Sequence, residues 1–165
     1  ALLWKYGEES YSRSIARQIV KARAVSPINT TFELVDVIKK ALPAKVLNKK
    51  GHPAKQTFQA LRIAVNRELD SLETGLQAAM SLLNLNGRIA VITFHSLEDR
   101  IVKEAFRQAS SVEKIDPRIP LLPSQITQPK FRLISRKPIL PSGEELAENN
   151  RSHSAKLRVL ERIGD

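Results

Sequence analysis

A seven-residue run, Arg88–Phe94, constrains the fold of this chain more than any other feature. The run is almost entirely apolar, is rich in β-branched residues and follows an Asn-Gly turn signal. Such a pattern predicts a strand that is buried on both faces, as in a parallel sheet. Helix signals come directly after it, because Ser96 can cap a helix whose first turn carries two acids, Glu98 and Asp99. Strand, turn and helix form half of a β-α-β unit and predict an α/β fold.

The predicted sheet is incomplete. A short strand is expected at Phe131–Ile134, inside a proline-rich loop at Pro117–Pro141, and a final strand at Ala155–Ile163. A parallel α/β domain needs more strands than these to cover its helices. We therefore expect further sequence upstream of this chain, and a start at Ala1 without a methionine agrees with that expectation.

The first half of the chain has the apolar period of helices. An apolar stripe from Tyr11 to Ala22 predicts one helix, and Thr30 with Glu33 predicts a capping box at the start of the next. A long helical pattern then runs from Pro53 to Leu83, in which Gly75 marks a bend or a break.

The charge of the chain favours a polyanionic partner. The formal net charge is +10 over 165 residues, and no acidic residue lies between Asp36 and Glu68 or between Arg118 and Lys137. Solvated faces of a merely basic protein are the alternative, but acids are usually interspersed on such surfaces. A membrane surface is less favoured, because no basic helix carries a large aromatic face. Without a signal peptide or a membrane-length apolar run, the expected location is the cytoplasm.

The best candidate active site is the segment Phe94–Arg100. Ligands of open α/β sheets bind at the carboxyl ends of the strands, where this segment lies. His95 could hydrogen-bond a substrate base or move a proton, and Phe94 is not needed to start a helix. For Ser96 and the two acids that follow it, helix capping and the helix dipole are a sufficient explanation.

Several other chemistries are excluded by the sequence. A Ser/His/Asp hydrolase site fails, because adjacent side chains diverge at a strand end and no G-x-S-x-G turn is present. The six glycines are isolated, so neither a dinucleotide fingerprint nor a P-loop exists. Cysteine is absent and the three histidines are widely spaced, so no metal site is expected.

A basic loop enters the long helix at His52 and Lys55. Lysines and the N-terminal end of a helix both attract phosphate, which predicts an RNA contact there. A charged linker before an ordinary helix start is the alternative interpretation.

Four blocks of sequence together resemble the bacterial small-subunit rRNA cytosine-N4 methyltransferase family of the MraW type. They occur in order over nearly all of the chain, and the Phe-His-Ser-Leu-Glu-Asp-Arg run in the third block is highly specific. The blocks are Tyr6–Glu9, His52–Pro53 followed by Thr57–Ile63, Gly87–Lys103 and Ser154–Val159.

The resemblance implies a class I, Rossmann-like methyltransferase sheet that carries an inserted helical lobe. Residues 1–70 would form the helical insert, which recognises RNA, and residues 71–165 the C-terminal portion of the methyltransferase domain. Members of the family begin with a glycine-rich S-adenosylmethionine loop that is missing here. The cofactor site is therefore expected in an N-terminal half, with no cofactor-binding residue in this chain.

The implied reaction transfers a methyl group from S-adenosylmethionine to the exocyclic N4 of a cytidine in small-subunit rRNA, and this chain alone is expected to be inactive. The implied partner is that rRNA or the small ribosomal subunit. Candidate catalytic residues near the target base are Phe94, His95 and Ser96. The candidate RNA contacts are Lys49, Lys50, His52, Lys55, Arg62, Arg100 and Arg151.

Two alternatives stay open at this point. The first is a freestanding RNA-binding module without catalytic function. The second is a structural assembly partner for ribosomal particles, which fits the charge but has no motif to support it.

Overall fold

The computed structural model describes residues 1–112 and 128–164, and the chain divides into two compact units, Ala1–Glu68 and Leu69–Asp165. The boundary at residue 70 between a helical insert and a methyltransferase portion stays a prediction. The predicted loop at Pro117–Pro141 falls partly outside the described residues. None of the helices that the structure describes is long and apolar enough to cross a membrane.

The first unit is built from five helices. They enclose a core in which Ile15 and Ile38 are fully buried together with Ala54 and Ala60. Helix α2 contributes Ile15, as its apolar stripe predicts. The helices are α1 (Leu2–Gly7), α2 (Ser12–Arg23), α3 (Thr31–Ala41), α4 (Ala44–Leu47) and α5 (Lys55–Asn66).

Helix α3 begins with the predicted capping box. The backbone N–H of Glu33 donates to Thr30 Oγ1 at 3.2 Å, and Glu33 Oε2 accepts from the backbone N–H of Thr30 at 3.1 Å. Two of the free backbone N–H groups at this helix start are thus satisfied within four residues of sequence.

Helices α1 and α5 approach each other closely at Gly7. A Cβ atom at this position would lie 2.5 Å from the carbonyl oxygen of Gln56 and 3.2 Å from Cβ of Ala60. Only a residue without a side chain fits there, which gives a packing reason for the glycine in the block Tyr6–Glu9.

The prediction of one long helix from Pro53 to Leu83 is wrong. Helix α5 ends at Asn66, because Arg67 adopts a left-handed conformation with φ 52° and closes the helix as its C-cap. A new helix, α6 (Glu68–Leu82), starts directly after it and contains Gly75 in its interior without a break. One glycine inside a helix costs only about 1 kcal/mol, which the packing of that helix can offset.

The second unit combines α6 with a three-stranded antiparallel sheet. The elements that follow α6 are β1 (Arg88–Thr93), α7 (Ser96–Ala109), β2 (Phe131–Leu133), α8 (Gly143–Glu148), a 3-10 helix (Asn150–Ser154) and β3 (Lys156–Arg162). The three strands coincide closely with those predicted from sequence. Their order is β1-β3-β2, so the last strand of the chain lies in the middle of the described sheet.

The prediction that β1 is a parallel strand buried on both faces is wrong for the described part of the chain. Strand β1 pairs antiparallel with β3, with Val91 opposite Arg158 and Ile89 opposite Leu160. One face packs against α7 in a core formed by Val102, Phe106 and Leu160. On the other face the side chains are open, and Ile92 is 58% exposed. An apolar run predicts burial but carries no information about the direction of its partner strand.

Candidate functional site

The turn between β1 and α7 is held by a capping box in which the capping residue is His95. Its Nδ1 accepts from the backbone N–H of Glu98 at 3.3 Å. The Glu98 side chain makes the reciprocal hydrogen bonds: its Oε2 accepts from the backbone N–H of Phe94 at 2.9 Å and of His95 at 3.2 Å. The expectation that Ser96 caps this helix is wrong: Ser96 is the first residue inside α7.

The imidazole of His95 is fixed by this arrangement. Nδ1 accepts the hydrogen bond of the cap, whereas Nε2 lies 3.1 Å from Glu98 Oε1 and is buried without a hydrogen-bond partner among the described residues. Only 11% of the side chain is exposed. His95 therefore has a structural task that the sequence did not reveal, because histidine is not among the common N-cap residues.

Phe94 is the part of this turn that is open to a ligand. Its ring lies at the carboxyl end of β1 and is 54% exposed, while its backbone is tied to Glu98. Ser96 is also exposed. An exposed aromatic ring on a fixed backbone can stack on a planar group, such as a nucleobase, at low conformational cost.

An ion pair between the half-buried Asp99 and the buried Arg158 anchors the first turn of α7 to the middle strand. Arg158 Nε donates to Asp99 Oδ1 at 2.8 Å, and a terminal nitrogen of the same guanidinium donates to Oδ2 at 3.2 Å. Lys156 Nζ adds a longer contact of 3.4 Å to Oδ2. The hydrogen bond from Arg158 is the main reason why the pKa of Asp99 is lowered, against the opposing effect of burial.

The predicted RNA contacts do not all lie in one unit. Lys49, Lys50 and Lys55 are exposed around the connection from α4 to α5, where His52 Nδ1 accepts from the backbone N–H of Ala54 at 3.3 Å. This bond shapes the turn before α5, so His52 also has a local structural role.

The three arginines of the predicted set differ from these lysines. Arg62 is exposed on α5 but forms a bidentate pair with Glu68 at 2.8 and 3.0 Å, which compensates its charge. Arg100 and Arg151 are exposed residues of the second unit. The structure thus brings only the lysines and His52 into one local stretch.

Comparison with known proteins assigns the chain to a family. The sequence model of the MraW methylase family matches residues 1–163. This range includes β1, the turn after it, and β3, which supplies Arg158. The chain belongs to the MraW methylase family.

One relative within this family extends well beyond the chain. It is the Ribosomal RNA small subunit methyltransferase H of Streptococcus dysgalactiae subsp. equisimilis, which is 58% identical over 162 residues. The match covers 98% of this chain and 51% of the relative. The chain therefore spans about half the length of the curated relative that it matches.

Two backbone amides of the turn after β1 are not available to a bound cofactor. The two backbone N–H groups of that turn, at Phe94 and His95, are already bonded to the Glu98 carboxylate. An acceptor on a cofactor would have to displace that carboxylate and break the helix cap.

Sequence analysis missed the pair between Asp99 and Arg158. A signal was present, since Lys156, Arg158 and Leu160 share one face of β3 by the two-residue period of a strand. A cation beside a core leucine on the buried face indicates a buried partner, because an unpaired buried charge is strongly unfavourable. The acid that pairs with it could not be chosen from sequence.

Proposed function

We propose that this chain is part of an S-adenosylmethionine-dependent methyltransferase that modifies the exocyclic N4 of a cytidine in small-subunit rRNA. The observation that carries the proposal is the match to the MraW methylase family over residues 1–163, together with a relative whose name is that of a small-subunit rRNA methyltransferase. The partner would be that rRNA or the small ribosomal subunit, in the cytoplasm. A freestanding RNA-binding module is less well supported, because the match includes the strand-end turn and not only the basic helical unit.

In this proposal the sheet is one end of a class I, Rossmann-like sheet. Strand β1 has no second neighbouring strand among the described residues, and its outer face carries the exposed Ala90 and Ile92. An apolar cleft of about 280 Å³ lies beside Ile92, lined also by Ile139, Leu140 and Leu157. Open backbone groups along the free edge of β1 and open apolar surface on a face of the sheet favour further strands and helices there, supplied by the half of the relatives that this chain does not span.

The role of this chain would be to hold the target base. S-adenosylmethionine, bound in the other half, would supply the methyl group. A cytosine amine is a poor nucleophile, so its N4 must be held in line with that group, and the base must first leave its stack. Phe94 offers an exposed ring for stacking, and the backbone beneath it is fixed by Glu98. His95 and Ser96 would lie next to the base at the same turn.

The helical unit would engage the RNA backbone. The connection from α4 to α5 presents Lys49, Lys50 and Lys55 to solvent within a stretch that contains no acidic residue. Each lysine that neutralises a phosphate of single-stranded RNA adds about −0.7 to the slope of log affinity against log salt. Replacing Lys49 and Lys50 with alanine should therefore flatten that slope by about 1.4. Lys21→Ala, an exposed lysine outside this stretch, is the control and should leave the slope unchanged.

The test of the catalytic assignment compares His95→Ala with His95→Asn, which keeps a side-chain acceptor for the cap of α7, in the complete gene product that contains this sequence. We expect turnover with small-subunit rRNA to fall far more than the affinity for S-adenosylmethionine. His153→Ala is the matched control, because His153 is an exposed histidine of the same unit. Unchanged turnover in His95→Ala would remove the assignment. If the wild-type protein yields no N4-methylcytidine, detected by mass spectrometry of digested rRNA, the proposed reaction is wrong.

A second test addresses the location of the cofactor site. Calorimetric titration of S-adenosylmethionine into this chain alone should give no detectable heat of binding. Micromolar binding would mean that the chain itself contains the cofactor pocket, contrary to the proposal.

A further inference from the structure

Three elements of the second unit meet at the ion pair between Asp99 and Arg158. Asp99 belongs to the first turn of α7, and Arg158 to the middle strand β3. Arg158 also faces Val91 of β1 across the sheet. We propose that Arg158 is a positioning residue: through Asp99 it sets the orientation of the turn that presents Phe94 to the target base. The inference rests on the proposed function and extends it to a residue outside the turn.

The geometry of the pair suits this task. Both oxygens of Asp99 accept from one guanidinium, at 2.8 and 3.2 Å, and the side chains are only 13% and 9% exposed. A bidentate contact between planar groups fixes both distance and angle, which a single contact from a lysine does not. The first turn of α7 thus has one defined position on β3.

The position of the first turn of α7 directly affects the position of the candidate site. Asp99 directly follows Glu98 in the sequence, and the Glu98 carboxylate accepts hydrogen bonds from the backbone N–H groups of Phe94 and His95. A shift of the first turn of α7 therefore moves the carboxylate that holds the backbone of Phe94. Lys156, at 3.4 Å from Asp99, is a longer and more exposed contact and cannot impose the same angle.

Stability alone is a weak explanation for this pair. Burying two charges removes their hydration, and a well-packed apolar pair of similar size is often as stable or more so. This contrast provides a variant that separates the two roles. Asp99→Leu combined with Arg158→Met removes both buried charges and the defined angle, while it keeps the volume of the site filled.

The experiment uses the complete gene product with small-subunit rRNA and S-adenosylmethionine. We expect the double variant to melt within a few degrees of the wild type and to lose about 10- to 100-fold in kcat, since a small misplacement of a substrate-holding group has an effect of that size. The KM for S-adenosylmethionine should stay unchanged, because the cofactor is held elsewhere. Amide hydrogen exchange at Phe94 and His95 should become faster, because their bonds to Glu98 are less well held.

Two further variants complete the design. Arg158→Lys keeps the charge and loses the bidentate geometry, so it should show part of the loss in kcat even if the double variant folds poorly. Arg88→Met removes a cation from an ion pair with Glu161 on the sheet, and it should change neither kcat nor exchange at the turn.

The outcomes distinguish this inference from the proposed function. Wild-type kcat and unchanged amide exchange in the double variant would overturn the positioning role. If the wild-type protein methylates no cytidine, the proposed function fails, and exchange at Phe94 and His95 alone decides whether Arg158 orients the turn.

Discussion

Truncation of Phe106 should remove a large part of the stability of the second unit. Phe106 lies on α7, is fully buried and packs against Val102 and Leu160. Moving its ring out of water is worth about 2–3 kcal/mol, and the cavity left by alanine adds to this, for a total of about 3–5 kcal/mol. Small domains have only about 5–15 kcal/mol in all, so Phe106→Ala should lower the urea midpoint markedly.

The assay must report the unfolding of the second unit, so unfolding is followed by circular dichroism and not by tryptophan fluorescence alone. The single tryptophan, Trp4, lies in the first unit, so its fluorescence reports that unit, whereas circular dichroism follows both. Phe94→Ala is the matched control, because Phe94 lies in the same unit and is 54% exposed. It should cost about 1 kcal/mol or less, since no closed cavity forms. An equal loss in the two variants, or a loss below about 1 kcal/mol for Phe106→Ala, would refute the argument from burial.

Three further predictions concern packing and pH. Gly7→Ala should destabilise the first unit by about 1–3 kcal/mol, because its Cβ would lie 2.5 Å from the carbonyl oxygen of Gln56. Gly75→Ala, where the new atom meets nothing within 4 Å, should instead stabilise α6 by about 0.5–1 kcal/mol in denaturant titrations, and a loss there would contradict the structure. Arg158 lowers the pKa of Asp99 below its ordinary value of 3.8, so this pair contributes stability above that pH and loses it as the pH falls through the lowered pKa. When the free energy of unfolding is measured as a function of acid pH, Asp99→Asn should weaken its dependence on pH in that range. An unchanged dependence on pH would show that the pKa of Asp99 is not lowered in the folded protein.

The helix starts and strands of this protein follow largely from local sequence. The capping box of Thr30 and Glu33 closes within four residues, and its sequence signal predicts the observed bonds. The strand at Arg88–Thr93 and the helix after it were also predicted, since apolar period and turn residues act over a few positions. The match to the MraW methylase family agrees with the resemblance that the same segments carry.

Local signals failed where two residues could serve the same purpose. Ser96 is a better N-cap by type, yet His95 has the extended backbone, with φ −140° and ψ 165°, and its ring makes the bond. In the same way, Arg67 ends α5 although Gly75 is the stronger break signal. The backbone angle that decides each case depends on how the neighbouring elements pack.

Sequence by itself determined the positions of the three strands, the start of α3, the basic character and the family of this protein. The tertiary structure alone decided that β1 runs antiparallel to β3 and that Asp99 pairs with Arg158. The physical reason is distance along the chain. A cap or an apolar period is satisfied by residues a few positions apart, whereas Asp99 and Arg158 are 59 positions apart and meet only because β3 lies beside β1 and beneath α7. The sequence did not reveal this pair, and the packing of three elements selects Asp99 as the acid that meets Arg158.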